Sequence, residues 1–330
     1  MNTIILNKKR FSHSNCLGKG DAFRQPFHYL KASILVSFQS KLFNLLLKVI
    51  NKKTLLKKQF RYNKFDLFTS SEPSRQVFAS CNVHKYRIHE HKVFTLSPKG
   101  KKTGTQKHIL YLHGGAYVQG FARPHWNFLS LLVNNTHCTI TAPDYPLAPA
   151  HTYRHTFAMV KDLYNELIKK VDPAKFILMG DSAGGGLALA LAQLMKNEQM
   201  PQPSQIILLS PWLDLSLTNP EIKDIDPSDL FLGVEGLQLA GKAYAGNTSP
   251  GNYLLSPING SLEGLGKISI FMGSREILVA DARKLKSMAH AKGIALNYHE
   301  FEGMFHTWML LNLPESKKAK KLIIELINDL

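Results

Sequence analysis

Gly180-Asp181-Ser182-Ala183-Gly184-Gly185 sits between an apolar run, 176–179, and a stretch of small residues, 183–196, with helical spacing. A strand that turns into a helix through glycine-any-serine-any-glycine lifts the serine hydroxyl clear of the strand end. Gly180 and Gly184 carry no Cβ, so neighbouring backbones can close on the turn. A helix beginning at Ala183 points its first amides, and the positive end of its dipole, toward charge developing beside Ser182. The motif is short, and on its own it reads equally as a glycine-rich turn without chemistry.

A second motif lies upstream. His113-Gly114-Gly115-Ala116 follows another apolar run, 108–112. A nucleophilic serine needs backbone N–H donors for the oxyanion of its tetrahedral intermediate, and glycines after a strand let amides turn inward. The candidate donors are the amides of Gly115, Ala116 and Ala183, with Gly114 shaping the turn and standing as a further donor. His113 is expected to hold this loop by a structural hydrogen bond.

Working outward, the apolar runs 77–84, 93–96, 108–112, 139–142, 176–179, 206–209, 268–272 and 295–301 read as strands. Helical spacing covers 154–169, 183–196, about 235–245, about 281–292 and 314–329, the last opening on Pro314. Apolar strands alternating with helices predict an α/β fold, a mostly parallel sheet covered on both faces. The first two strands have no helix between them, so the sheet should begin antiparallel.

His113-Gly114-Gly115, then Asp144-Tyr145-Pro146-Leu147-Ala148-Pro149, then the Ser182 motif, then Ser210-Pro211-Trp212-Leu213-Asp214-Leu215, together resemble the hormone-sensitive-lipase-like family of esterases and lipases. The resemblance runs from about 108 to the C-terminus. It implies an α/β-hydrolase fold, with an eight-stranded, mostly parallel sheet, flanking helices and a helical cap. It also implies residues 1–70 as a basic segment with cap helices, and 71–330 as the catalytic domain with a cap insertion at about 214–262. Ala116 replaces the family's frequent third glycine, a change expected to matter little for a backbone donor. Ala150 stands where the family often has Glu.

In this fold the base comes last in the chain, which selects His306 in Gly303-Met-Phe-His306 from among 14 histidines. Two carboxylates follow the 268–272 strand. The family pattern places the triad acid at Glu276, and Asp281, near the next helix start, remains the alternative, with an N-cap role sufficient to explain it. The implied activity is that of a serine carboxylesterase on short-to-medium-chain lipophilic esters or lactones, through an acyl-enzyme. Its partner is then a small-molecule ester, and neither cofactor nor metal is called for. The pocket lining would come from Phe38, Leu42, Phe43 and Leu46 on one side and Phe231, Leu232, Leu237 and Tyr244 on the other, with core packing the competing role of each. The alternatives are a membrane-associated lipase or phospholipid-type hydrolase, and a ligand-binding protein that has lost its chemistry.

Composition narrows these choices. Residues 1–110 hold 22 Lys and Arg against 4 Asp and Glu, whereas 111–330 hold 19 against 20. A basic segment on a neutral body suits an anionic surface. No nucleic-acid module accompanies the charge, so lipid headgroups fit better than nucleic acid. Leu30, Ile34, Phe38, Leu42, Leu45, Leu46 and Val49 recur at three- and four-residue steps with lysines among them, which predicts one or two basic amphipathic helices over 27–60. Such a helix either packs its apolar stripe on the body or lies on a membrane surface. Lysines interrupt the stretch too often for a transmembrane span. The region 1–26 reads as irregular. Cys16, Cys81 and Cys138 are odd in number and far apart, which fits reduced thiols in a cytoplasmic protein, peripheral membrane attachment being the variant; a homodimer is compatible with the sequence.

Overall fold

Alternating apolar runs and helices wind this chain into one sheet. The computed structural model describes residues 29–32, 36–66, 69–100 and 107–330. The irregular segment expected at 1–26 lies outside them, as do Cys16 and Ile34. The strands are β1 (Tyr29–Ala32), β2 (Cys81–Ile88), β3 (His91–Pro98), β4 (His108–Leu112), β5 (Thr139–Pro143), β6 (Phe176–Asp181), β7 (Gln205–Leu209), β8 (Lys267–Gly273) and β9 (Leu296–Phe301). The helices are α1 (Phe38–Val49), α2 (Lys52–Tyr62), α3 (Arg75–Ser80), α4 (Arg123–Thr136), α5 (Tyr153–Ile168), α6 (Ala183–Asn197), α7 (Ile222–Ile225), α8 (Val234–Ala245), α9 (Val279–Ala291) and α10 (Pro314–Asn328).

The sheet order is β1-β9-β8-β7-β6-β4-β5-β3-β2. It begins antiparallel, β3 pairing that way with both β2 and β5, and all other pairings are parallel. The eight expected strands are present, and β1 makes a ninth. The helical reading of 27–60 is corrected there: residues 29–32 pair in parallel with β9, Tyr29 opposite Tyr298. An open sheet edge takes up a short extended segment more readily than a lone helical turn forms. The strand expected from Val77 starts at Cys81 instead, because 75–80 form α3, whose Val77 is buried. A helix unread in the sequence, α4, supplies the crossover that parallel β4 and β5 require.

Side chains alternate across the sheet. Ile109, Tyr111, Ile177, Met179, Ile207 and Leu209 face one core with α4 and α10. Leu110, Leu112, Leu178, Ile206, Leu208 and Ile270 face the other with α5, α6 and α9. Strands buried on both sides explain runs that lack polar alternation. Cys81 and Cys138 are buried free thiols.

Helix α2, which packs on α1, meets the segment 214–262. Gly236 of α8 lies against Leu56 and Gly233 against the Lys53 carbonyl, where a Cβ would sit 2.4 Å from that oxygen. Lys53–Asp226 and Lys57–Glu235 ion pairs, at 2.8 and 2.7 Å, flank the contact. Among the described residues, no helix is long and apolar enough to cross a membrane.

Candidate active site

Ser182 follows β6 directly and caps α6 with φ 53° and ψ −123°. A non-glycine residue there stores about 1–3 kcal/mol of strain. The turn is held by Ser182 N–H donating to the Leu209 carbonyl (2.8 Å) and by Trp212 N–H donating to the Ser182 carbonyl (2.9 Å). It closes tightly enough that a Cβ on Gly180 would lie 2.3 Å from the Gly184 carbonyl oxygen, and one on Gly184 only 2.1 Å from that of Leu112.

His306 lies in the loop after β9, its Nε2 2.8 Å from Ser182 Oγ. Its Nδ1 is 2.5 Å from Glu276 Oε2. Glu276 leaves β8 in the next loop and is wholly buried. Its other oxygen accepts from Gly273 N–H and from Ser210 O–H, each at 2.7 Å. Asp281 stands elsewhere. It falls inside the first turn of α9, whose N-cap is Leu278, so it is not the N-cap; its Oδ1 accepts from Asn219. Burial foremost raises the Asp281 pKa to about 6.

The loop after β4 runs through positive φ at Gly115 (119°), Ala116 (53°) and Tyr117 (61°). Ala116 therefore occupies left-handed backbone, at about 1–2 kcal/mol for a residue with a Cβ, a conformational cost separate from the donor role of its amide. Gly114 differs from its neighbours: its N–H donates to Asp181 Oδ1 at 2.9 Å. That amide is engaged, which corrects its reading as an oxyanion donor. Gly115 and Ala116 N–H have no acceptor among the described residues. Ala183 heads α6 and has no intrahelical acceptor.

Asp181 organises this loop from beneath. Besides Gly114 it accepts from Tyr111 O–H (2.6 Å) and meets His125 Nε2 at 3.3 Å. Burial alone would raise its pKa; the His125 charge and these hydrogen bonds outweigh it and hold the carboxyl below its usual value. His113 Nδ1 donates to the Gly114 carbonyl at 2.7 Å, the structural role expected of it, and its ring stacks on Tyr145 at 4.3 Å. Burial drives the His113 pKa down to about 3, so it stays neutral.

Of the residues expected to line the pocket, Phe231 comes within 5.5 Å of the His306 ring and Phe43 stacks at 5.0 Å on Phe305. Leu232 and Leu237 are buried in the core, and Tyr244 stacks on Tyr117 at 3.7 Å. Phe38, Leu42 and Leu46 instead face outward. Their spacing marks an apolar stripe without saying what it faces.

Three features escaped sequence reasoning. Ser210, at φ 47°, bridges Glu276 and Thr307 N–H. Asp229, from 214–262, accepts from Phe231 and Leu232 N–H on one oxygen and from Ile277 N–H, beside Glu276, on the other. Lys52 holds its ammonium 4.7 Å over the Phe231 ring, and burial lowers its pKa to about 8. Ser210 belonged to a quoted motif and could have been suspected, but nothing marked Asp229 or Lys52.

Residues 109–310 match a family model described as the α/β-hydrolase fold. An esterase from Acinetobacter venetianus is 33% identical over 236 residues, 70% of this chain and 78% of the relative. An acetyl-hydrolase from Streptomyces hygroscopicus is 31% identical, over 64% of this chain and 72% of its own. Among solved structures, an esterase of the bacterial hormone-sensitive lipase family superposes with TM-score 0.71 at 28% identity, covering 78% of this chain and 86% of that one. EstE5, in a crystal soaked with p-nitrophenyl butyrate, superposes with TM-score 0.75 at 25% identity, covering 87% of this chain and 97% of that one.

The chain belongs to the hormone-sensitive-lipase-like esterases of the α/β-hydrolase fold. As a member of that family it is a carboxylic ester hydrolase, and its substrates are small-molecule esters. The family resemblance began at about 108, and the matched region of the chain likewise begins at β4.

Proposed function

We propose that this esterase works through an acyl-enzyme on short-to-medium-chain lipophilic esters or lactones, with Ser182 as nucleophile, His306 as base and Glu276 as the orienting carboxylate. The observation that carries this reading is the unbroken relay from Ser182 Oγ through both ring nitrogens of His306 to Glu276, at 2.8 and 2.5 Å. His306 Nε2 takes the Ser182 proton as Oγ attacks the ester carbonyl carbon. The oxyanion receives hydrogen bonds from the Gly115, Ala116 and Ala183 amides. His306 returns the proton to the departing alkoxide, which leaves as alcohol. Water, giving its proton to the same nitrogen, then attacks the acyl carbon; the acyl–Oγ bond breaks, His306 returns that proton to Ser182 Oγ, and the carboxylic acid leaves. Residues 71–330 form the catalytic domain, and α1 and α2 with the insertion 214–262 its cap, whose Phe43 and Phe231 favour an apolar acyl group.

The test is hydrolysis of p-nitrophenyl esters, from acetate to long chains, by the wild type and Ser182→Ala. Short or medium esters should turn over, with kcat falling about 10^4-fold or more in the variant. A variant that keeps its activity, or a wild type inert on the whole series, refutes the reading. A second reading, esters carried in lipid, is favoured by the outward apolar stripe of α1.

A further inference from the structure

Helix α1 has two apolar faces, and the fold uses only one. Its inner face presents Ser40 and Leu47, both buried, and Phe43 against Phe305. Its start is tied to α10, where Glu315 accepts from Ser37 N–H (2.6 Å) and Ser40 O–H (2.7 Å). These contacts set the rotation of the helix and leave the other face outward. On that face Phe38 is 79% exposed, Val49 74%, and Leu42, Leu45 and Leu46 50–56%. At 100° per residue the five fall within an arc of about 100°. With Ile50 they make six of the ten exposed large apolar residues among those described. A stripe of this size on one short helix marks an interaction surface.

Charge identifies what it meets. Residues 36–66 carry eight Lys or Arg and one Asp. Lys41 and Lys48 line one edge of the stripe on α1, both exposed and without an acidic partner among the described residues. A second copy docking face to face would set these lysines against each other's charge. Anionic headgroups over an apolar interior match both features at once.

We propose that the outward face of α1 docks on a bilayer containing anionic lipid, with Phe38, Leu42, Leu45, Leu46 and Val49 entering the headgroup layer and Lys41 and Lys48 pairing with lipid anions. The inner face of the same helix touches Phe305, next to His306, so docking would bring the site to lipid-dissolved esters; that consequence rests on the proposed esterase mechanism, and the docking does not.

The experiment is co-sedimentation of the full chain with vesicles of phosphatidylcholine alone and of phosphatidylcholine mixed with phosphatidylglycerol, at low and high salt. Binding to the mixed vesicles, weakened by salt, is expected. The Leu45→Asp/Val49→Asp variant should lose affinity about tenfold or more per site, and Lys41→Gln/Lys48→Gln should lose the preference for phosphatidylglycerol. All four positions are exposed, so turnover of soluble p-nitrophenyl butyrate should not change. Repeating the binding with Ser182→Ala separates docking from catalysis, because it should bind equally well. The proposal is overturned if the wild type does not bind, if it binds both vesicles alike, if the Leu45/Val49 variant binds like the wild type, or if those substitutions instead split a dimer into monomers.

Discussion

Replacing Glu276 by Gln tests the relay at its most constrained atom. Glu276 Oε1 accepts two hydrogen bonds, from Gly273 N–H and Ser210 O–H, while Oε2 faces His306 Nδ1 at 2.5 Å. A glutamine has one carbonyl oxygen for both sides. With the oxygen kept on Gly273, its NH2 faces Nδ1 and drives the ring proton to Nε2, the atom that must accept from Ser182. Loss of the correct tautomer in such a relay lowers kcat about 10^4-fold, or about 5.4 kcal/mol. The flipped amide keeps the tautomer but leaves the buried Gly273 N–H unpaired, at about 1–3 kcal/mol. That limits the productive population to between about one-fifth and one in two hundred. A neutral amide also stabilises the imidazolium less, for about a further tenfold. The kcat for p-nitrophenyl butyrate should therefore fall between about fiftyfold and about ten-thousandfold, with Asp281→Asn within about threefold of wild type. A loss below about tenfold for Glu276→Gln, in protein with wild-type unfolding cooperativity, would refute the role given to Glu276.

Other perturbations read the scaffold. Gly184→Ala places a methyl 2.1 Å from the Leu112 carbonyl and 2.3 Å from that of His113, so it should cost about 3 kcal/mol or more, measured as a shift in urea midpoint. Asp229→Asn keeps an acceptor for Phe231 and Leu232 N–H but turns an NH2 toward Ile277 N–H; stability should drop by about 1–3 kcal/mol, with kcat down several-fold as the Glu276 loop loosens. Asp181 has a folded pKa below its usual value, so its contribution is complete above the unfolded value near 4 and disappears as pH falls through the lower folded one. Asp181→Asn should therefore lower Tm at neutral pH and flatten its acid-side decline, and an unchanged decline would discount this group.

How far the sequence could be read depended on whether the signal was local. The eight strands declared themselves because a doubly covered strand is apolar throughout, and the Ser182 turn because its geometry demands glycines at fixed offsets. His306 followed from its place in chain order. The same locality misled at 29–32, where helical spacing gave way to an edge strand on β9, and it left α4 unread.

The sequence by itself determined the α/β architecture, the Ser182 turn and the stripe of α1, since each is set by residues a few positions apart. The family pattern already favoured Glu276 over Asp281, and the tertiary structure sets Glu276 beside His306; only that structure engaged the Gly114 amide with Asp181 and brought Ser210 and Asp229 to the Glu276 loop. It alone turned the stripe of α1 outward, by anchoring Ser37 and Ser40 to Glu315 some 278 and 275 positions away. Period and turn chemistry are short-range properties of a chain. The partner of a buried carboxylate, and the side of a helix that stays wet, depend on contacts between segments that only the folded sheet brings together.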